Sequence, residues 1–395
     1  EYFIASKQFK INYSNEEIQE SDLQIIPNSL LSETAIIEQD ISIEIWQQLP
    51  CFFKTSQYEI PFDIFSASFF LISRYEEYYP YSLDLYQRYP EKSSLAFQHN
   101  FLNMPLVDYW IMALKKIILS KKSAISFPEK RMKFIPTYDI DIAYSYLSKG
   151  ILRNIGGGFR DLIQGHVSLI KSRIEVLSGK QKDPFDSFDF LDQLHQQYHL
   201  KPIYFFLVSK GGPLDKNILP SKVLMKKLIH RIKSTYKVGI HPSFQSNDNR
   251  SILEHEISLL ESNKSRQHYI RFQLPSTFRN LIEFGIQEDY SMGYGSINGF
   301  RASTCFDHQW FDLEKNEISS LRLFPFCYME CNSFYEQKMS AEQAFNEMLH
   351  YHQTVNQVGG NFISIWHNFS LGTEPMWKGW KEIYTSFIEK THSSY

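Results

Sequence analysis

The sequence predicts an α/β protein: a distorted (β/α)7-type barrel over residues 131–395, preceded by a smaller α+β domain over residues 1–130. Three observations point there. From about residue 131, short apolar and β-branched runs alternate with amphipathic stretches of helical period, the pattern of parallel strands joined by crossover helices. Before that point no such alternation exists, and the run Lys121–Lys130, with Pro128, reads as a linker. A chain of 395 residues also exceeds the usual size of one domain.

In the first region, Glu1–Phe9 and Leu23–Ile26 read as strands, and Pro61–Tyr79 as a helical tract. Val107–Ser120 carries apolar residues at helical spacing. In the second, the strands are Met132–Asp139, Pro202–Val208, Val238–Phe244, Tyr269–Leu274, Ser291–Tyr294, Leu321–Cys327 and Phe362–His367. The helices between them are Ser187–His199, Ser221–Tyr236, Arg250–Ser262, Ser276–Phe284 and Ala341–Val358. Seven such strands suggest an incomplete or distorted barrel, with a doubly wound open sheet as the alternative. Residues 145–185 interrupt the alternation and read as an insertion over the barrel mouth. Their basic amphipathic stretch, Phe159–Leu177, reads as a solvated helix face, with a membrane-surface role as the alternative.

Composition narrows the partners. A formal charge of −3 argues against nucleic acid as the main partner, because phosphate binding needs a basic surface. The apolar run Phe62–Ser73 is too short to span a bilayer, so no transmembrane segment is expected. No cleavable leader is visible, and because the sequence begins at Glu1 the compartment stays open. Four cysteines make no disulfide framework or zinc ribbon and read as buried free thiols.

Chemistry concentrates at predicted strand ends, where β/α barrels place catalytic groups. The first strand ends in Thr137-Tyr138-Asp139-Ile140-Asp141, the third in Gly239-Ile240-His241-Pro242-Ser243, and the last in Ile365-Trp366-His367-Asn368. Two aspartates one residue apart share a strand face. One is then able to bind a divalent metal while the other serves as a base, with a histidine across the cleft as the acid. The segment Ser265–His268 precedes the predicted fourth strand instead. His195 and His199 also lie at zinc-binding spacing, yet Gln196 stands where a metalloprotease base would be. They read as surface or helix-packing residues.

At these positions the chain resembles the polysaccharide deacetylases, the NodB-homology group of carbohydrate esterases, over roughly residues 131–395. The resemblance implies Asp139 as general base, Asp141 and His241 as metal ligands and His367 as general acid. Gly299-Phe300-Arg301 and Ser265–His268 resemble the middle motifs, which makes Arg301 a catalytic residue orienting Asp139 or the substrate. Arg266, Trp366 and Tyr138 become substrate-binding residues. Phe62–Glu77 and Pro105–Asp108 resemble an additional N-terminal domain found in a subgroup. One departure stands out: the usual second histidine of the metal motif is replaced by Gln245, an amide that ligates zinc poorly. His268 is the candidate third ligand, with His308 behind it.

The expected activity is metal-dependent hydrolysis, with zinc as the expected divalent metal, of an acetyl group linked through nitrogen or oxygen to a carbohydrate. Two alternatives accompany it. Gln245 motivates a catalytically degenerate carbohydrate-binding fold. The Asp-x-Asp pair motivates a glycosyltransferase, against which the absence of a Gly-rich nucleotide loop counts.

Overall fold

The computed structural model describes residues 8–163 and 165–392. The first segment holds a parallel pair, β1 (Ile11–Tyr13) and β2 (Leu23–Ile25), and an antiparallel hairpin, β3 (Glu44–Trp46) and β4 (Leu49–Cys51). Helices α1 (Ile64–Ile72), α2 (Leu95–Gln98) and α3 (Leu106–Lys121) complete it. The Asp63 carboxylate caps α1 by accepting from the backbone of Phe65 and Ser66. The expected Glu1–Phe9 strand falls almost wholly outside the described residues.

A nine-stranded sheet follows. Its strands are β5 (Lys133–Ile140), β6 (Ile203–Phe206), β7 (Lys237–Ile240), β8 (Lys264–Ser265), β9 (Glu288–Asp289), β10 (His308–Asp312), β11 (Glu317–Leu323), β12 (Tyr328–Met329) and β13 (Asn361–His367). Their order is β10-β11-β9-β8-β7-β6-β5-β13-β12, all parallel except β10 on β11. The pair α4 (Ile151–Ile163) and α5 (Val167–Leu177) follows β5. The crossovers are α6 (Phe188–Gln197), α7 (Val223–Lys233), α8 (Arg250–Leu260), α9 (Ser276–Glu283) and α10 (Ala341–Val358), and α11 (Trp380–His392) ends the chain. Helix α10 carries its boundary signals openly: a Ser340/Gln343 capping box at one end and left-handed Gly359 at the other.

Connectivity curls this sheet. β11 and β12 are joined by only the four residues Phe324–Cys327, yet seven strand steps separate them in the ladder. A flat sheet would set them roughly 34 Å apart, at about 4.8 Å per step. The connection reaches at most about 18 Å. The sheet therefore bends back on itself, while no strand pairing among the described residues closes it into a barrel.

Two predicted strands are misplaced. Tyr269–Leu274 is not a strand: Tyr269 and Ile270 take φ of 59° and 54°, which breaks an extended ladder. Its apolar character serves packing, as in Phe272 stacked on Phe278. The real strand is β8, so Arg266, Gln267 and His268 follow a strand end instead of preceding one. Likewise β9 lies ahead of the expected Ser291–Tyr294.

Apolar residues form two clusters, one drawn from Leu23–Ile118 with Tyr294, the other from Tyr138–Ile388. Polar contacts join them. Glu77 accepts from Arg301 Nε and Nη2 at 2.8 and 2.6 Å, and Arg74 donates to the Arg301 carbonyl. Asp108 accepts from Thr304 Oγ1 and from the Cys305 backbone.

Candidate metal centre and catalytic cleft

A cleft of about 370 Å³ opens at the C-terminal ends of the central strands. Asp139, the penultimate residue of β5, is in direct register with His367 on β13, so one strand pair brings both to the same floor. Asp141 follows two residues on and shares Asp139's face. His241 follows β7 and His268 follows β8. All five line the cleft.

Asp141, His241 and His268 offer donor atoms within 4.8 Å of one another. His241 Nδ1 lies 2.5 Å from the Arg266 carbonyl and therefore donates its proton there. That leaves Nε2 bare, 3.2 Å from Asp141 Oδ1. His268 repeats the arrangement: Nδ1 bonds Asp215 Oδ1 at 2.8 Å, and Nε2 lies 3.5 Å from Asp141 Oδ2. Such outer partners, a carbonyl and a carboxylate, are what fix the tautomer of metal-ligating histidines. Asp141 Oδ1 is buried with no hydrogen-bond partner.

The electrostatics ask for positive charge at this point. Burial pushes the Asp141 carboxyl up, but His268 and His367 outweigh it and hold the group well below the usual carboxylate range. Burial also disfavours a charged His268, yet Asp141 and Asp215 raise it to about 9. A divalent cation would supply that charge and release those protons. The carboxylate–imidazole–imidazole donor set fits zinc or a similar borderline metal.

Asp139 is held separately. Its Oδ1 accepts from Arg266 Nη1 at 2.8 Å, and the same nitrogen donates to Thr137 Oγ1 at 2.7 Å. The Arg266 guanidinium is fully buried and sits 4.5 Å over the Phe205 ring. Gly239 makes room for that ring, because a Cβ there would meet it at 2.4 Å. Across the cleft, His367 Nδ1 pairs with Glu330 Oε1 at 2.8 Å, and its Nε2 lies 3.6 Å from Asp141 Oδ2. Burial works against a charged His367, but Cys331, Glu330 and Asp141 raise its pKa well above the usual histidine range.

Several expected roles are corrected. Arg301 does not reach Asp139: its guanidinium is bound by Glu77 and the Gly293 carbonyl, and it does not line the cleft. Arg266 occupies the place expected of it, and is a support for Asp139 rather than a cleft-lining substrate contact. Tyr138 and Trp366 are wholly buried on the opposite face of β5 and β13, since strand neighbours alternate. Tyr138 bonds His195 and Tyr384, and Trp366 packs on Tyr384. His195 is thus a helix-packing residue, while His199 is exposed. Gln245 turns away, into a second depression beside Asp215 and Gly211. His308 starts the edge strand β10 and does not line the cleft. All four cysteines are free, three buried, but Cys331 lines the cleft.

Sequence reasoning missed Glu330, Asp215 and the cleft rim. Glu330 follows β12, and its position just after a strand end was the available signal. Asp215 sits in the loop after β6, with no pattern to mark it. The rim includes Tyr86 and Arg88 from the first segment: Tyr86 stacks on Tyr269 at 4.8 Å, and Arg88 donates to the Tyr269 carbonyl.

A family model described as a family of unknown function, DUF7033, matches residues 1–123. No curated protein matches the chain. Among solved structures, a Mycobacterium smegmatis protein provisionally named as a polysaccharide deacetylase is 14% identical. The match covers 68% of this chain and 87% of that one, with a TM-score of 0.45. At that identity and score the likeness says nothing of what this chain does.

Proposed function

We propose that residues 131–395 form a metal-dependent hydrolase that removes acetyl groups, N- or O-linked, from a carbohydrate. The observation that carries this reading is the oriented donor set. Asp141, His241 and His268 face one point, with a separately held carboxylate, Asp139, on one side and an imidazole, His367, on the other. The sugar as substrate class rests on the motif resemblance, and the aromatic rim of Tyr86, Tyr269, Tyr335 and Phe369 suits ring stacking.

Asp141, His241 and His268 would hold a divalent ion, which when bound would supply the Lewis acidity for water activation near neutral pH and for polarising an acetyl carbonyl. Asp139 takes the proton of the attacking water on Oδ2, the oxygen not engaged by Arg266. Arg266 fixes the carboxylate plane, so the proton acceptor is in position before substrate arrives. His367, anchored through Nδ1 by Glu330, turns Nε2 to the cleft and protonates the leaving nitrogen or oxygen. The first segment contributes Tyr86 and Arg88 to the cleft wall, so substrate selection becomes a joint property of both parts of the chain.

The test is metal content by elemental mass spectrometry, together with acetate release from N- and O-acetylated saccharides. About one ion per chain, lost in Asp141→Ala and in His268→Ala, is the expected result. Absence of metal after incubation with zinc, cobalt or nickel, with no acetate released, sinks the proposal. Sugar binding without metal or turnover would instead point to the degenerate binding fold.

A further inference from the structure

The hairpin α4–α5 is built inside out. Its enclosed contacts are polar: the Arg173 guanidinium donates to Asp161 at 2.6 Å and to Asn154 at 3.1 Å, and Asp161 and Asn154 are buried. Gly157 lets α4 come this close, because a Cβ there would lie 2.8 Å from the Arg173 guanidinium. Val176 is buried, but most of the apolar residues point the other way. Ile155, Phe159, Leu162 and Ile163 recur at the spacing of one face of α4 and are 64, 64, 58 and 73% exposed. Val167 and Ile174 of α5 are 66 and 62% exposed.

A solvated helix does the reverse, turning its charges outward and its apolar stripe inward. The sequence-level expectation of a solvated face for this stretch is therefore not met. Contiguous exposed apolar side chains on one element mark a surface built for a non-aqueous neighbour.

Charge identifies the neighbour. Residues 150–182 carry six basic and two acidic residues, in a chain whose formal charge is −3. Lys171 and Lys180 are exposed, Lys171 lying 3.8 Å from Glu175, while Lys182 pairs with Asp189 at 2.6 Å. An amphipathic helical element with an outward apolar face and surrounding cations is the form that lies in the interface of an anionic bilayer. We infer that α4–α5 docks this protein on an anionic membrane surface, with its apolar face among the acyl chains and its lysines at the lipid phosphates.

The placement gives docking a consequence. The hairpin leaves the same end of β5 that carries Asp139 and Asp141. At its base Tyr146 lies under Arg173 at 4.5 Å, and Phe185 contacts Phe369 of the cleft wall at 5.6 Å. Docking would bring the cleft near the lipid headgroups, where a substrate attached to a lipid would be presented.

The test is cosedimentation of the full chain with vesicles of phosphatidylglycerol and phosphatidylcholine, against phosphatidylcholine alone. The expected result is binding to the anionic vesicles that weakens with salt. Phe159→Asp with Ile163→Asp should weaken it about tenfold or more, since a buried aromatic or aliphatic side chain accounts for at least that factor. Lys171→Glu with Lys180→Glu should lower the salt dependence. Unchanged thermal melting and metal content in these variants show that the fold is intact. Wild-type protein that ignores anionic vesicles at low salt, or variants that bind like wild type, would overturn the inference. So would a stable dimer that Phe159→Asp dissociates, because a second copy would then cover the face. None of these readouts depends on acetate release.

Discussion

Two of the buried arginine–carboxylate pairs in this molecule do different things. Arg266 binds Asp139 at the floor of the cleft, whereas Arg301 binds Glu77 where residues 1–123 meet the large sheet. Both guanidinium groups are about 1% exposed or less, and both lie against aromatic rings, Phe205 for Arg266 and Phe272 for Arg301. Chemically they are near equivalents. What separates them is the second carboxylate oxygen. Glu77 gives both oxygens to Arg301, and its Oε1 accepts from Arg74 as well, so nothing is left for a substrate. Asp139 gives one oxygen to Arg266 and leaves the other toward His241 and the cleft. A pair that satisfies itself holds a junction, and a pair with an unspent oxygen is equipped to move a proton.

The sharpest way to break this comparison is to remove the unspent oxygen. Asp139→Asn keeps the size of the group and loses the base, so acetate release should fall by roughly 10²–10⁴-fold with metal content retained. Undiminished turnover would take the base role from Asp139. Next come the two arginines. Arg266→Met should lower kcat by one to two orders of magnitude through misplacement of Asp139. Arg301→Met should leave Glu77 with one arginine, Arg74, and destabilise the fold by roughly 1–3 kcal/mol in chemical denaturation, with little change in turnover per folded molecule. The reverse pattern would restore Arg301 as the catalytic arginine.

A milder effect is expected from residues that touch the proposed metal donors. Asp215→Asn removes the carboxylate that orients His268, so metal affinity should fall about 10- to 100-fold by competition with a chromophoric chelator. Gln245→Ala should leave affinity nearly unchanged, because Gln245 faces the neighbouring depression. A large loss in Gln245→Ala would return that residue to the ligand set.

The smallest predicted effect concerns the junction. Burial raises the Asp108 carboxyl to about 6, against hydrogen bonds from the Cys305 backbone and Thr304 that lower it. An acid whose folded pKa lies above its unfolded value near 4 binds more protons when folded. Its contribution to stability is therefore present at low pH and is lost as pH rises from about 4 to about 6. Burial likewise raises the Asp289 carboxyl to about 6, which acts on stability in the same direction. Stability of Asp108→Asn relative to wild type should improve across that window by a few kcal/mol at most and stay level above it. A difference flat from pH 4 to 7 would show that the Asp108 carboxyl is not shifted.

Much of the site was legible because it lies where strand ends carry polar residues. Thr137–Asp141, Gly239–Ser243 and Ile365–Asn368 each join an apolar run to a chemically competent group, and alternation along β5 and β13 already implied which neighbours share a face. The same rule, applied fully, would have turned Tyr138 and Trp366 inward, next to Asp139 and His367 that face the cleft. His268 is harder to place from sequence, because the apolar run after it has the composition of a strand without forming one. Tyr269 and Ile270 adopt left-handed backbone that side-chain hydropathy does not encode.

The sequence alone determined the alternation of strands and helices, the bounds of a well-capped helix such as α10, and the identity of the groups at the strand ends. Those features depend on periodicity and on contacts a few residues apart. Tertiary structure alone decided which arginine meets Asp139, which imidazole joins Asp141 and His241, and which face of α4 meets solvent. Each of these depends on residues brought together from distant parts of the chain. Arg266 reaches Asp139 across 127 positions, Arg301 reaches Glu77 across 224, and His268 is oriented by Asp215 across 53. Composition and local pattern do not record such distances. The curl of the sheet does, because the short link between β11 and β12 bends the ladder until its strand ends face one cleft.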